Sequence, residues 1–122
     1  MLNKSFKIKL IVPKNKKEFQ NYFNFRWLIL RSDFSKNVES AKDSIENQSY
    51  HIMAVYKDRI VGVGRVHSLD SLTSQIRYMA VDKNNRLEGI GSKILIKLIK
   101  KSKLEGKNKI ILHSRENAIN FY

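Results

Sequence analysis

The stretch that most limits the fold runs from Thr73 to His113. Thr73–Val81 is rich in strand-forming residues. Gly89–Leu104 places Ile90, Ile94, Leu95, Leu98 and Ile99 at helical spacing, and Lys109–His113 is again a short apolar strand. Two strands joined through a helix must lie parallel, so one parallel pair is built into the sheet. Gly106 supplies a stop for the helix. The remaining strands read as antiparallel. Tyr50–Tyr56 and Ile60–His67 flank the short turn Lys57-Asp58-Arg59, the pattern of a hairpin, and Gly62 and Gly64 soften its second strand. A polar turn, Leu69–Ser74, leads into the next strand, where simple alternation puts Ile76, Tyr78 and Ala80 on one face and Met79 and Val81 on the other. Phe6–Val12 alternates apolar residues with lysines until Pro13 ends it.

Two helices are expected between the first strand and the hairpin. From Asn15 to Ser32, Phe19, Tyr22, Phe23, Trp27 and Leu30 recur every three or four residues, a stripe that points to the core. A weaker helix covers Val38 to Ile45, with Asn37 or Ser35 as its cap. Glu116 begins a further helical start. The order is therefore strand, helix, helix, three strands, helix, strand, helix start, without repeats or linkers.

At 122 residues the chain is expected to form one domain, 1–122, since two cores would each be too small. It has no cysteine, which removes disulfides, thiolate metal sites and cysteine nucleophiles. His51, His67 and His113 are too scattered to suggest a metal. No apolar run approaches the roughly 18–20 residues of a bilayer span, and the lysine-rich start lacks a signal-peptide core, so a soluble, cytoplasmic protein without a membrane partner is expected. Twenty-four Lys and Arg against eleven Asp and Glu give a net charge of +13, which attracts anions. Lys93, Lys97, Lys100, Lys101, Lys103, Lys107 and Lys109 form either the solvated face of a helix or, as a sharper alternative, a nucleic-acid groove.

Chemistry concentrates between Val81 and Ser92, where a glycine-bearing loop opens a helix. The first turn of a helix leaves backbone N–H groups unpaired at the positive end of its dipole, and glycine lets an anion approach them. Arg86 adds a fixed charge; Gly89 and Gly91 could alternatively serve only tight helix–strand packing. Two other phosphate motifs fail on spacing. A dinucleotide fingerprint would need glycine or alanine where Ile94 stands, and a triphosphatase loop would need Lys followed by Ser or Thr directly after Gly91, where Ser92-Lys93 stands.

Arg86-Leu87-Glu88-Gly89-Ile90-Gly91 resembles the acyl-CoA signature of the GNAT superfamily, the acetyl-CoA-dependent N-acyltransferases. That signature is Arg or Gln, two residues, Gly, one residue, then Gly or Ala. Gln75–Val81 is similar to the family's fourth strand, Asn117–Tyr122 to the start of its next motif, and Arg26–Arg31 to the first helix of some members. The resemblance implies an α/β (α+β) fold, a three-layer αβα sandwich on a mixed, mostly antiparallel sheet. It also implies acetyl transfer to a primary amine by direct attack on the thioester of acetyl-CoA, without a metal.

By the same resemblance, the coenzyme's diphosphate lies on the backbone of Arg86, Leu87, Glu88, Gly89, Ile90, Gly91 and Ser92, and its pantetheine arm pairs with the strand at Met79, Ala80 and Val81. A backbone N–H of Met79 or Ala80 would polarise the carbonyl. Tyr122 would protonate the leaving thiolate, for which an ordinary tyrosine pKa near ~10 is well matched. His67, with Glu88 and His113 as alternatives, would take the proton of the amine. The acceptor would be a small-molecule or peptide amine.

Three departures stand out. Leu87 occupies a position where many members have glycine, and Arg115 one where asparagine is frequent. Members also continue past the equivalent of Tyr122 with two strands that wall the acceptor site. By that resemblance the chain is expected to be truncated before those strands, with the coenzyme half present and the substrate half incomplete, unless a second chain, as in a homodimer, supplies the wall. A non-catalytic coenzyme-binding remnant is thus the first rival reading, and a basic nucleic-acid-binding α+β module the second. The latter needs exposed aromatics for stacking, whereas the aromatic stripe Phe19–Trp27 belongs to a core-facing helix.

Overall fold

A computed structural model describes residues 7–33, 35–84 and 89–112, together with the backbone of 117–120. Six strands form one sheet in the order β1 (Lys9–Ile11), β2 (Tyr50–Tyr56), β3 (Arg59–Ser68), β4 (Thr73–Val81), β5 (Lys109–Leu112) and β6 (Asn117–Asn120). Every neighbouring pair is antiparallel except β4 and β5, which run parallel through the crossover helix α2 (Ile90–Leu104). The mixed sheet expected from the strand–helix–strand unit is the observed one.

Helix α1 (Lys16–Leu30) and helix α2 cover opposite faces of the sheet. On one face Ile90, Ile94 and Leu98 of α2 pack with Ile52, Ala54, Val66, Ile76 and Ile110; on the other Tyr22 of α1 packs with Met53, Val63 and Ala80. Alternation along β2 and β3 divides the residues between these layers. Gly62 and Gly64 lie directly beneath α2. A Cβ at Gly62 would stand 2.8 Å from Ile94 Cδ1, and one at Gly64 2.6 Å from Ile94 Cγ2. Their part is to let the helix approach the sheet closely.

Local chemistry explains the element ends. Asn15 caps α1 by accepting from the Glu18 N–H at 2.8 Å. Lys57 and Asp58 turn the β2–β3 hairpin at φ of 49° and 63°, the two positive angles of a tight hairpin turn. Gly106, at φ 81°, follows the end of α2 as expected.

The second expected helix is shorter and tighter than Val38–Ile45. It is a 3-10 turn, Val38–Ala41, capped by Asn37, with another at Glu46–Gln48. Carboxylates of this connection are drawn inward by buried arginines, which interrupts a regular helix. The helical start expected at Glu116 is also corrected: Asn117–Asn120 is strand β6, antiparallel to β5. Four residues cannot close the recurrent bonds of an α-helix, whereas the open edge of β5 offers each a backbone partner.

Candidate active site

The site begins with a register change. Val63 pairs with Ala80 and Arg65 with Arg77, so two steps along β3 match three along β4. This is a β-bulge carrying one extra residue. The Leu69 N–H donates to Thr73 O and the Asp82 N–H to Val61 O, which makes the odd-numbered residues of β3 those that bond to β4. Arg77 and Ala80 are therefore rungs, while Tyr78 and Met79 between them have no partner residue on β3. Tyr78 takes φ 57°, a left-handed conformation that costs a residue with a side chain about 1–3 kcal/mol.

The bulge also corrects the expected faces of β4. Ile76 packs under α2, whereas Tyr78 and Ala80 lie on the α1 side and Met79 and Val81 return to the α2 side. A simple period of two cannot foresee that the extra residue puts Arg77 and Tyr78 on one face.

On its other edge β4 pairs with β5 from Thr73 opposite Lys109 to Ile76 opposite Leu112. Beyond that point, among the described residues, no strand accompanies Met79–Val81 on the side away from β3. A cleft of about 370 Å³ lies there, lined by Ile29 and Leu30 of α1, Met79, Ala80 and Val81 of β4, and Gly91 of α2. The first turn of α2 opens at this cleft. Gly89 precedes it at φ 74°, and among the described residues no side chain caps the helix; the first intrahelical bond runs from the Lys93 N–H to Gly89 O. The N–H groups of Ile90, Gly91 and Ser92 precede that bond and are the donors a helix start leaves for an anion.

Below the sheet, on the α1 side, lies a buried ionic cluster. The side chains of Arg26 and Arg65 are fully buried. Glu46 meets Arg26 Nη1 at 2.7 Å and Arg65 Nη1 at 3.1 Å; Asp43 meets Arg65 at 2.7 Å and Arg77 at 3.1 Å. Burial opposes ionisation of Asp43, but hydrogen bonds from Arg65 and the Ile45 N–H, with the two guanidinium charges, hold its carboxyl below the ordinary value. All three guanidiniums gather on the Tyr78 ring, with Cζ to centroid distances of 4.2 Å for Arg26, 4.8 Å for Arg77 and 5.1 Å for Arg65. A desolvated cation over an aromatic face contributes about 2 kcal/mol, comparable with the strain of the bulge.

Tyr22 joins α1 to this cluster. Its single hydroxyl proton lies between two acceptors, Gly64 O at 3.0 Å and His51 Nδ1 at 2.9 Å, and its oxygen accepts from Arg26 Nη2 at 3.2 Å. Burial pushes the phenol up to about 12, against the lowering effect of Arg26. His51 Nε2 lies 2.7 Å from Glu46 O, which makes that nitrogen the donor. Burial holds both His51 and His67 below the usual imidazole value, and nearby arginines add to the effect.

Of the residues singled out by sequence, Met79, Ala80, Val81 and Gly91 meet in one cleft, and Gly89, Ile90 and Ser92 stand at its helical rim. Arg86, Leu87, Glu88, His113 and Tyr122 lie outside the described residues. His67 is elsewhere: buried, with Nδ1 3.1 Å from Arg65 Nη2, it lines a second cavity with Tyr50, Ser74 and Lys101. It pairs with Gln75, four residues before Met79, about 13 Å along the strand. Sequence reading missed Arg26, Arg65, Asp43, Glu46 and Tyr78. The available signal was a charge within an apolar stripe, since Arg26 follows Tyr22 by one turn and must share its buried face.

The model of the acetyltransferase (GNAT) family matches residues 13–122. The chain belongs to that family. An uncharacterized N-acetyltransferase of Bacillus subtilis (strain 168), YjcF, is 27% identical over 115 residues, spanning 94% of this chain and 81% of that protein. A GNAT-family acetyltransferase from Staphylococcus aureus Mu50 is 25% identical with a TM-score of 0.72, over 86% of this chain and 72% of its own. A GNAT-family acetyltransferase from Elizabethkingia anophelis, solved with acetyl-CoA bound, shares the fold at 20% identity and a TM-score of 0.65, over 87% of this chain and 64% of its own. Among the described residues, this GNAT chain has no helix long and apolar enough to cross a membrane.

Proposed function

We propose that this GNAT chain binds acetyl-CoA in the cleft beside Met79–Val81 and transfers its acetyl group to the primary amine of a small molecule or peptide. The observation that carries the reading is the meeting of two backbone devices at one opening: a bulged strand edge and a helix start opened by Gly89. The diphosphate would lie on the N–H groups of Gly89–Ser92 with the preceding Arg86, Leu87 and Glu88. The pantetheine arm would run along Met79, Ala80 and Val81. Acetyl-CoA supplies an activated acyl carbon. What the chain supplies is orientation and a polar environment for the charge that develops on the carbonyl oxygen. Because Ala80 forms a rung to β3, Met79 is the residue whose N–H is left to serve that oxygen.

The amine must lose a proton and the thiolate must gain one. Tyr122 is assigned the second task. His67 is assigned the first: burial and Arg65 lower its proton affinity and keep it neutral, and because Nδ1 accepts from Arg65 Nη2 at 3.1 Å it would have to release that contact to take the proton, which at its distance from Met79 would reach it through a chain of waters.

The test is the melting temperature with and without acetyl-CoA. At a ligand concentration of about 100 Kd the native state gains about 2.7 kcal/mol, and a chain of this length should melt roughly 10 °C higher. No shift at millimolar acetyl-CoA would refute the coenzyme site. A positive shift without release of CoA in the presence of amines would favour the non-catalytic, coenzyme-binding reading.

A further inference from the structure

We infer that Tyr22 and Arg26, one turn apart on α1, are positioning residues that hold the β4 bulge and thereby aim the Met79 N–H into the cleft. The inference rests on the coenzyme reading for its functional half and on geometry alone for its structural half.

Tyr78 stands in a left-handed conformation that its own chemistry disfavours, so something outside β4 must impose it. Two contacts from α1 reach the strands around the bulge. The Tyr22 hydroxyl lies 3.0 Å from the carbonyl oxygen of Gly64, which anchors α1 to β3 at the residue opposite the bulge, on the side of β3 turned to β2. Arg26 lies over the Tyr78 ring at 4.2 Å, the shortest of the three guanidinium distances. The two contacts are coupled, because Arg26 Nη2 also donates to the Tyr22 hydroxyl at 3.2 Å. Both side chains are fully buried, and Arg26 is fixed further by Ala41 O at 3.0 Å and Glu46 at 2.7 Å.

The consequence reaches the cleft through a single peptide. If Tyr78 relaxed to an ordinary extended conformation, the extra residue would be lost from the register, and Met79 would rotate out of its present setting between the rungs at Arg77 and Ala80. Arg26 and Tyr22 do not line the cleft, and neither is required to touch the coenzyme.

The experiment compares the wild type with Tyr22→Phe, Tyr78→Phe and Tyr78→Leu, using CoA and acetyl-CoA as calorimetric probes and amide hydrogen exchange without ligand. A hydrogen bond to the thioester carbonyl should make the wild type bind acetyl-CoA about 5- to 10-fold more tightly than CoA. Tyr22→Phe and Tyr78→Leu should abolish that preference while leaving the Kd of CoA within about 2-fold, since the diphosphate cradle is untouched. Tyr78→Phe keeps the ring under the guanidiniums and should retain the preference. In Tyr22→Phe, exchange at the Arg77 and Ala80 amides, the rungs to β3 on either side of the bulge, should rise about 10-fold while Ile52 and Ile110 stay unchanged.

Equal acceleration at all four amides, or none at Arg77 and Ala80, overturns the clamp; so does an undiminished acetyl-CoA preference in Tyr22→Phe. A wild type that binds neither ligand refutes the coenzyme reading instead, and the exchange measurement then still decides whether α1 holds the bulge.

Discussion

Replacing Glu46 with glutamine should cost this protein far more than its small chemical change suggests. The Glu46 carboxylate faces two guanidiniums whose side chains are completely buried, Arg26 at 2.7 Å and Arg65 at 3.1 Å, and Oε2 accepts the Asp43 N–H at 3.0 Å. Glutamine keeps the shape but removes the charge. Asp43 still serves Arg65, so Arg26 is the cation left without a carboxylate. Removing one partner of a buried pair costs about 3–5 kcal/mol, and the remaining neutral acceptor places the expected loss near the lower figure, about 3 kcal/mol. At about 2.1 cal/mol/K per residue, that lowers the melting temperature by roughly 12 °C. The internal control is Glu39→Gln. Its pair with Lys42, at 3.0 Å, is similarly short, but the Glu39 side chain is 68% exposed and should be worth no more than about 0.5 kcal/mol. Thermal unfolding followed by circular dichroism measures both. If Glu46→Gln melts within 2–3 °C of the wild type, or Glu39→Gln loses as much, burial does not govern these pairs and the reasoning fails.

Three further outcomes are expected. Gly64→Ala would set a Cβ 2.6 Å from Ile94 Cγ2 and 3.1 Å from Leu98 Cδ1, so α2 must shift; a loss of about 1–3 kcal/mol is expected in urea unfolding, and a neutral result would mean that the helix does not sit so close. Ser92→Glu adds a negative charge in the first turn of α2. It should stabilise the free protein by about 0.3–1 kcal/mol, yet weaken acetyl-CoA in calorimetry by about 10-fold, and effects of the same sign on both would contradict the anion cradle. His51 and His67 have native proton affinities below the usual value, so the unfolded chain binds more protons below about pH 6.5. Stability should therefore be fully present above that pH and fall from pH 6.5 towards pH 5, with a shallower fall in His51→Gln; a melting temperature independent of pH over this interval would contradict it.

Much of this architecture can be read directly from residue periodicity, and the reason is local. The helical spacing of Ile90, Ile94 and Leu98 between two short strands requires a crossover, and the parallel β4–β5 pair follows from chain connectivity. The hairpin turn, the Asn37 cap and the stop at Gly106 each rest on a residue whose own backbone preference decides its place. Gly89 and Gly91 likewise identify the helix start, because an anion cradle made of backbone needs little beyond small residues in order.

What tertiary structure alone decided is where two ladders fall out of step and which charges go inside. The extra residue at Tyr78 leaves no mark in the alternation of Thr73–Val81, since a bulge depends on the partner strand and on the guanidiniums that cover the ring. The inward turn of Arg26, Arg65, Asp43 and Glu46 depends on carboxylates arriving from a distant connection, and a charged residue declares itself buried only once its counter-charge is in place. Sequence thus determined the elements and the start of α2 through local preference. The fold determined the opening beside Met79 and the ionic cluster beneath it, because both are properties of pairs of segments brought together.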